Sequence, residues 1–392
     1  MESVSQLTKQ PMGTGLNPSN IPWFVLFFDL VVVAAFSQTA KMYQANPTWV
    51  TSAFVAGCIM LIYSIWAVTT IESLVSAVET WPHRIIGFVQ MSAIILAALS
   101  LGHGKGLQNA WGFAALSVAL GCSAVLTGLH RDAWGPRNSH LRRRVVLLTL
   151  ASIIFFAGAW VSPSLTLGGF EFSNLVFFAG AGVTIAGALT LIPQLVDSSS
   201  RVRAHVIQER FGLILLIVLG DSFLLLLTSV GTDAAIPQPV FFVASIVLVF
   251  AIWALYFPAL AETEISTQLG RSYARLGAHF LLVLSSTVAI VACTWMTKTP
   301  TAELLRISDE GTWTSLPLAS IAGAILWMTL LRDRRLSAPA VVHLVGVVII
   351  STLAILGIPA DSMQSYGLLL AAVGVLCIQA LLAVLLTRKA IA

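Results

Sequence analysis

The sequence predicts an all-α integral membrane protein, a polytopic bundle of about twelve transmembrane helices. The chain has 392 residues, of which 57% are hydrophobic and only 10% are charged. Soluble domains carry about 25% charged residues, so a water-soluble fold could not bury this much apolar surface. The mean hydropathy of +0.91 indicates the same class. We therefore expect the lipid bilayer to be the main partner of the chain.

Apolar runs recur along the chain and are separated by short polar or Gly/Pro-containing turns. A bilayer span needs about 20 residues. The polar segment 1–20 lacks the pattern of a signal peptide and is predicted to be a flexible cytoplasmic arm. The predicted spans are approximately 22–42, 48–71, 84–102, 109–130, 142–162, 174–196, 210–231, 239–261, 273–297, 313–331, 340–358 and 364–387.

The distribution of basic residues supports this number of spans, because cytoplasmic loops are enriched in Lys and Arg. With the N-terminus placed inside, most of the 21 Lys and Arg residues fall on the cytoplasmic side. The exceptions are Lys41, Lys105, Lys298 and Arg306. We predict a multi-pass protein of the cell inner membrane with both termini cytoplasmic. The net charge of +4 then reflects membrane topology, and no nucleic acid is expected as a partner.

The two halves of the chain resemble each other, which predicts a 6+6 parallel repeat. When Val25 is set against Glu209, Ser37 falls on Asp221. Because both halves would begin on the cytoplasmic side, the repeat would be parallel, as in the two halves of some transporters.

A second pair of motifs supports the same repeat. Segment 64–68 resembles segment 251–255, and each follows its own first-helix motif at a similar spacing. Similar motifs at similar spacing are typical of an internal repeat. The predicted organisation is one membrane domain made of two six-helix halves, residues 21–200 and 201–392.

Two stretches resemble the signatures of a known family. Residues 26–38, which begin Leu-Phe-Phe-Asp and end Ser-Gln, resemble the first-helix signature of the bacterial low temperature requirement A family, LtrA. Residues 209–222, with His205 four positions before Glu209, resemble its second signature. This resemblance implies a polytopic membrane protein of a transport-like kind and does not supply a substrate.

The chain departs from the family pattern at several acidic positions. Val25 stands where the first signature has an acid, and Asp221 stands where the second usually has Glu. Pro258 follows the Trp-Tyr-Phe pattern where the family tends to carry an acid, and His279 is displaced. The resemblance is therefore to a divergent member, which lacks several acids of the family pattern.

Asp29 and Asp221 are the candidate intramembrane carboxylates. Asp29 lies about 10 Å into the first span, and Asp221 lies about 18 Å along the seventh helix from Glu209. An unpaired acid inside a span costs about 2.5–3.5 kcal/mol, so it marks a candidate functional site. Each acid is predicted to bind a proton or a cation. The alternative is a structural role as a hydrogen-bond partner of a neighbouring helix.

Glu209 and Arg210 begin the seventh span and are predicted to belong to a cytoplasmic gate. In that gate Glu209 would pair with an Arg of another helix, such as Arg84 or Arg275. The alternative is an acid favoured by the helix dipole at the first turn, followed by an Arg that snorkels to the interface.

Four further residues are candidates for substrate or ion binding: Gln38, Ser222, Trp253 and Tyr256. Interhelical hydrogen bonding by the polar pair and packing by the aromatic pair are the alternatives. Acids at the ends of helices, Glu72, Glu262 and Glu264, are expected to be solvated. No nucleotide-binding motif, zinc-protease motif or His/Cys cluster is present in the sequence, so we expect neither a cofactor nor a metal.

The leading functional hypothesis is a secondary transporter or ion-translocating protein for a small molecule, an ion or a lipid-soluble substrate. The alternative is an integral-membrane enzyme, such as a metal-independent isoprenoid or meroterpenoid cyclase. There a protonated Asp221, with Asp29, would act as general acid between aromatic walls such as Trp66, Trp253 and Tyr256. A stress-related membrane factor without turnover is the third reading. The sequence leaves the substrate and the oligomeric state open.

Overall fold

The computed structural model of the chain describes residues 23–45, 49–76, 80–102, 110–129, 139–161, 165–167, 170–193, 201–229, 238–261, 268–298, 310–332, 338–357 and 362–391. The predicted cytoplasmic arm lies outside these ranges. The helices are α1 (Trp23–Ala45), α2 (Trp49–Ser76), α3 (Trp81–Gly102), α4 (Ala110–Leu129), α5 (Ser139–Gly158), α6 (Phe172–Leu189), α7 (Arg201–Ser229), α8 (Pro239–Ala261), α9 (Leu269–Lys298), α10 (Glu310–Arg332), α11 (Ala338–Gly357) and α12 (Ser362–Ile391).

This architecture confirms the predicted fold class, a polytopic bundle of membrane helices. Within the described part of the chain, 8 helices are long and apolar enough to cross a bilayer, and α10, α11 and α12 contain shorter apolar segments. The outer surface of the bundle is apolar as well, with large side chains such as Phe88, Ile153, Leu227 and Phe250 exposed. An apolar exterior of this extent is stable in lipid and not in water.

One element was not predicted from the sequence. Between α5 and α6 the chain forms a short antiparallel ladder, β1 (Thr166–Leu167) with β2 (Phe170–Glu171). In the sequence, the two strands are separated by a pair of glycines, which is typical of a two-residue hairpin. The ladder leaves the helical class of the protein unchanged.

The helices of the first half pack in a pattern that recurs in the second. In the first half, α1 packs on α2 and α3, α2 on α4 and α6, and α3 to α6 pack consecutively. In the second half, α7 packs on α8 and α9, α8 on α10 and α12, and α9 to α12 pack consecutively. Every pair named for the first half therefore has a counterpart six helices later.

The two halves meet through a small set of helices. From the first half, α1 and α2 pack against α7 and α9 of the second half. These four helices, together with α8, carry the buried charged and aromatic residues from which the candidate site is built.

Close packing between α5 and α6 depends on a glycine. A Cβ added at Gly180 would lie 2.7 Å from Cε2 of Phe155. The Phe155 ring has little freedom to move, because it is fully buried and its centroid lies 5.9 Å from that of Phe113 and 6.1 Å from that of Phe177. Small residues at such interfaces let membrane helices approach each other closely.

We therefore expect Gly180→Ala to destabilise the protein by about 1–3 kcal/mol, the usual cost of overpacking. The matched control is Gly182→Ala in the same helix, where an added Cβ meets nothing within 4 Å. The control should be neutral or gain about 0.5–1 kcal/mol, because Ala favours a helix more than Gly does. Thermal unfolding in detergent measures both, and equal melting temperatures for the two variants would contradict the packing described.

Candidate functional site

Asp29 lies at the centre of the contact between the two halves and is completely buried. Its Oδ1 accepts a hydrogen bond from Nε1 of Trp66 at 2.6 Å, and its Oδ2 accepts one from Nη1 of Arg210 at 3.1 Å. Trp66 lies on α2, and Arg210 lies on α7. One carboxylate thus holds three helices together and joins the two halves by an ion pair.

Arg210 is buried with only 2% of its side chain exposed, so its charge is held inside the bundle. The alternative reading of an Arg that snorkels to the interface is wrong, because the carboxylate of Asp29 provides a buried partner. Its neighbour Glu209 is exposed. The guanidinium of Arg210 keeps two nitrogens, Nε and Nη2, that are buried and have no hydrogen-bond partner among the described residues.

A hydrogen-bonded histidine lies next to this ion pair. Nε2 of His279 is 2.8 Å from the carbonyl oxygen of Phe211, and Nδ1 is 2.8 Å from the hydroxyl of Tyr63. A carbonyl can only accept, so Nε2 carries the proton and Nδ1 accepts from the Tyr63 hydroxyl. These bonds fix the tautomer and the orientation of the ring between α2, α7 and α9.

Aromatic rings connect the histidine to the ion pair. The centroid of the Trp66 ring is 5.2 Å from that of Tyr63 and 5.7 Å from that of Phe211. The Phe211 ring lies 4.7 Å from His279, and Tyr256 of α8 lies 5.8 Å from the same histidine. We call the six side chains that share this region the interface cluster: Asp29, Tyr63, Trp66, Arg210, Tyr256 and His279.

Two of the predicted aromatic residues, Trp66 and Tyr256, belong to the interface cluster. Tyr256 is fully buried, and its hydroxyl oxygen has no hydrogen-bond partner in the described ranges. The charge of Arg275 acts on both Tyr256 and His279. Trp253, by contrast, is 48% exposed on the outer surface.

Asp221 lies elsewhere on α7, and the structure does not bring it to Asp29. It is half-buried and accepts a hydrogen bond at Oδ2 from the hydroxyl of Ser37. Ser37 is about 12 Å farther along α1 than Asp29. The two intramembrane acids therefore occupy separate places along the contact between α1 and α7.

These two contacts also give the relative direction of α1 and α7. Asp29 pairs with Arg210 early in both helices, and Ser37 pairs with Asp221 later in both. Two helices that contact each other in the same order along the chain run side by side in the same direction.

We expect Ser37→Ala to lower the free energy of unfolding by about 1–2 kcal/mol, because it removes a hydrogen bond to a carboxylate. Ser222→Ala is the matched control, since the Ser222 hydroxyl donates only to the Val218 carbonyl of its own helix at 2.7 Å. Thermal unfolding of the two variants should differ. A Ser222 variant that is the less stable of the two would contradict the assignment.

The remaining predicted polar residues lie outside the interface cluster. Gln38 is half-buried and accepts a hydrogen bond at Oε1 from the Lys41 ammonium, 3.2 Å away on the same helix. Ser222 is buried and bonded within α7, as described above. Neither side chain contacts the Asp29–Arg210 pair in the contacts described here.

A second buried ion pair was missed from the sequence. Glu72 of α2 is 1% exposed and pairs with Nη1 of the fully buried Arg144 of α5. Nε of Arg144 also donates to the hydroxyl of Thr190, which follows α6, at 3.1 Å. The expectation of a solvated Glu72 was wrong, because the end of α2 lies inside the first half. Glu262 and Glu264 lie outside the described residues.

Two other members of the interface cluster, His279 and Tyr63, were not predicted as site residues. In the sequence, His279 is only a displaced member of a family pattern, and Tyr63 lies in an apolar run where an aromatic side chain is typical of packing. An ionisable or hydrogen-bonding side chain within a span was the available signal in both cases.

The membrane-length helices, the apolar exterior and the buried ion pairs together define a polytopic integral membrane protein with charged groups inside its bundle. The family comparison agrees with this class. The chain belongs to the bacterial low temperature requirement A (LtrA) protein family, whose model matches residues 21–387. A search of curated proteins finds no match to the chain.

Proposed function

We propose that this LtrA-family protein is a secondary transporter or ion-translocating protein in which the Asp29–Arg210 pair is a charge switch between the two halves. The observation that carries the proposal is the complete burial of this ion pair across the contact of the halves. Ionisable residues inside membrane bundles mark substrate, ion and proton pathways. The small molecule, ion or lipid-soluble substrate would cross between the halves.

The switch would work by changing the charge on Asp29. A proton or a cation bound to the carboxylate would weaken its hold on Arg210, and α1 and α7 would then be free to separate at that end. Leaving one member of a buried pair without its partner costs about 3–5 kcal/mol, so occupation of Asp29 has a large effect on the balance between two arrangements.

We also propose that the halves, residues 21–200 and 201–392, are a parallel repeat. Each helix pair described for the first half recurs in the second, which supports this proposal. The hydrogen bond between Ser37 and Asp221 supports it further, because the two residues are equivalent in the alignment of the halves. Equivalent residues meet each other on a two-fold axis.

The proposed orientation places both termini in the cytoplasm and the protein in the inner membrane. This proposal rests on the asymmetric distribution of Lys and Arg between alternate loops. It would place Asp29 and Arg210 toward the cytoplasmic side of the bundle, where Glu209 and Arg210 could act as a gate.

The alternative of a membrane cyclase has less support from the site. Its proposed acid must donate a proton to an olefin or an epoxide. Both oxygens of Asp29 already accept hydrogen bonds, and Asp221 is half-buried beside Ser37. Trp253, one of the proposed walls, is on the outside of the bundle.

Purified protein in proteoliposomes tests the proposed function. With dyes inside that respond to pH, sodium or potassium, the corresponding imposed ion gradient should dissipate faster than in liposomes without protein. The addition of candidate solutes to the outside extends the assay to coupled transport. Identical rates with and without protein for every ion and solute would contradict the proposal.

A further inference from the structure

We infer that the unpartnered edge of the Arg210 guanidinium is a binding site for an oxyanion, meaning the two-oxygen edge of a carboxylate or phosphate group. If the oxyanion is the transported substrate, the inference rests on the proposed transport function. Binding of the oxyanion does not depend on that function and is argued from Arg210 and Tyr256.

The geometry of the guanidinium is the first argument. Of the three guanidinium nitrogens, only Nη1 donates to Asp29. Nε and Nη2, which remain, lie on one edge of the planar group, and their N–H bonds point the same way. Two parallel donors match the two oxygens of a carboxylate or phosphate, and this bidentate recognition is what distinguishes Arg from Lys.

Burial makes this edge costly if it has no acceptor. Nε and Nη2 are out of reach of solvent, and no acceptor for them lies within the part of the chain that the structure describes. Charged donors without a partner inside a protein lose free energy that hydration would otherwise supply. An acceptor from outside the chain would remove this cost.

The charge around Arg210 favours an anion as that acceptor. The guanidinium of Arg210 is a buried cation that pairs with Asp29 through Nη1, and the exposed Glu209 also acts on it electrostatically. An oxyanion at the open edge would interact directly with this positive charge in a medium where charges interact strongly.

A second unpartnered donor belongs to the same interface cluster. The hydroxyl of Tyr256 is buried, and the described residues offer it no hydrogen-bond partner. The Tyr256 ring adjoins His279, whose ring contacts Phe211, the residue that follows Arg210 in the sequence. The second half therefore supplies a neutral unpartnered donor to the same cluster, and the Tyr256→Phe variant below tests whether the anion uses it.

The test is ligand-dependent stability of the full-length protein in nanodiscs of phosphatidylcholine, which carry no net lipid charge. Sodium acetate, benzoate and phosphate are titrated at constant ionic strength, with sodium chloride as the reference salt. We expect at least one oxyanion to raise the melting temperature in a saturable manner. A second arm uses nanodiscs with phosphatidylglycerol, so that stabilisation by the lipid phosphate is distinguished from stabilisation by a soluble anion.

Three variants separate the site from general effects of salt. Arg210→Lys keeps the charge but not the bidentate edge, and we expect its apparent affinity for the anion to fall by about tenfold or more. Tyr256→Phe removes one oxygen and should weaken binding by a smaller factor. Arg143→Lys, at an exposed position of α5, is the matched control and should bind as the wild type does.

The ligand-induced shift is compared within each variant, so that a lower starting stability of Arg210→Lys does not obscure the result. The inference is overturned if neither soluble oxyanions nor phosphatidylglycerol stabilise the wild type beyond chloride, which would mean that water alone occupies the edge. It is also overturned if Arg210→Lys and Tyr256→Phe both bind with wild-type affinity. The melting-temperature assay measures binding and not flux, so its outcome is independent of the proteoliposome assay. Anion binding here, together with no transport in proteoliposomes, would retain the site and reject the proposed function.

Discussion

Replacing Arg144 with Met is expected to lower the free energy of unfolding by about 3–5 kcal/mol, because it removes the arginine that pairs with the buried carboxylate of Glu72. The two side chains are 0% and 1% exposed, so water cannot replace the lost partner. The Thr190 hydroxyl would also lose the donor Nε of Arg144. Urea or thermal unfolding in detergent measures the loss.

The neighbouring arginine provides the control. Arg143 is exposed on the same helix, and Arg143→Met should change stability by no more than about 0.5 kcal/mol. The double variant Glu72→Gln/Arg144→Met removes both charges and should recover much of the stability lost by Arg144→Met alone. Equal effects of the Arg143 and Arg144 substitutions would show that the buried pair does not hold α2 to α5.

Asp29→Asn is expected to have an effect of similar size, about 3–5 kcal/mol, because the buried guanidinium of Arg210 loses the buried carboxylate with which it pairs. The amide oxygen of Asn can still accept the hydrogen bond from Trp66, so the loss reports on the charge pair. Thermal unfolding of Asp29→Asn, Arg210→Met and the double variant completes the cycle.

The loss of unfolding free energy in the double variant should be smaller than the sum of the losses in the two single variants. The difference, the coupling energy, should be about 1–3 kcal/mol because the two residues are in direct contact. Asp221→Asn provides the matched acid control. Asp221 is half-buried and receives a hydrogen bond from a serine, so its replacement should cost less. If the losses of unfolding free energy in Asp29→Asn and Arg210→Met add up to the loss in the double variant, the ion pair is contradicted.

The sequence was sufficient for the fold class, because hydropathy acts over whole spans and each apolar run must cross the bilayer by itself. It was also sufficient to select Asp29, since an acid at that depth is costly wherever its partner lies. The partners themselves could not be predicted. Trp66 and Arg210 are separated from Asp29 by 37 and 181 positions, and their meeting depends on how α1, α2 and α7 are rotated.

The same limitation explains the errors. Glu72 lies near the end of α2 and looked solvated, but burial at a helix end depends on which neighbours cover it. Here α5 and the end of α6 cover it through Arg144 and Thr190. The alignment of the halves placed Ser37 opposite Asp221 in sequence, yet only three-dimensional packing brings the hydroxyl and the carboxylate into contact.

The choice between the two acids is where the structure changes the interpretation most. Asp221 lies deeper along its helix and was the stronger candidate from depth alone. In the structure it is Asp29 that is completely buried, and Asp29 pairs with the oppositely charged Arg210 across the contact between the halves. Asp221 instead accepts a hydrogen bond from the Ser37 hydroxyl near the proposed two-fold axis.

The most direct test of the charge switch is the rate of ion flux in proteoliposomes carrying wild type, Asp29→Asn or Asp221→Asn at equal protein density. If Asp29 is the switch, its replacement should reduce the protein-dependent rate by at least about tenfold, equivalent to 1.4 kcal/mol or more in the barrier. Asp221→Asn should retain most of the rate. Wild-type flux from Asp29→Asn in a correctly folded protein would contradict the central role of the Asp29–Arg210 pair.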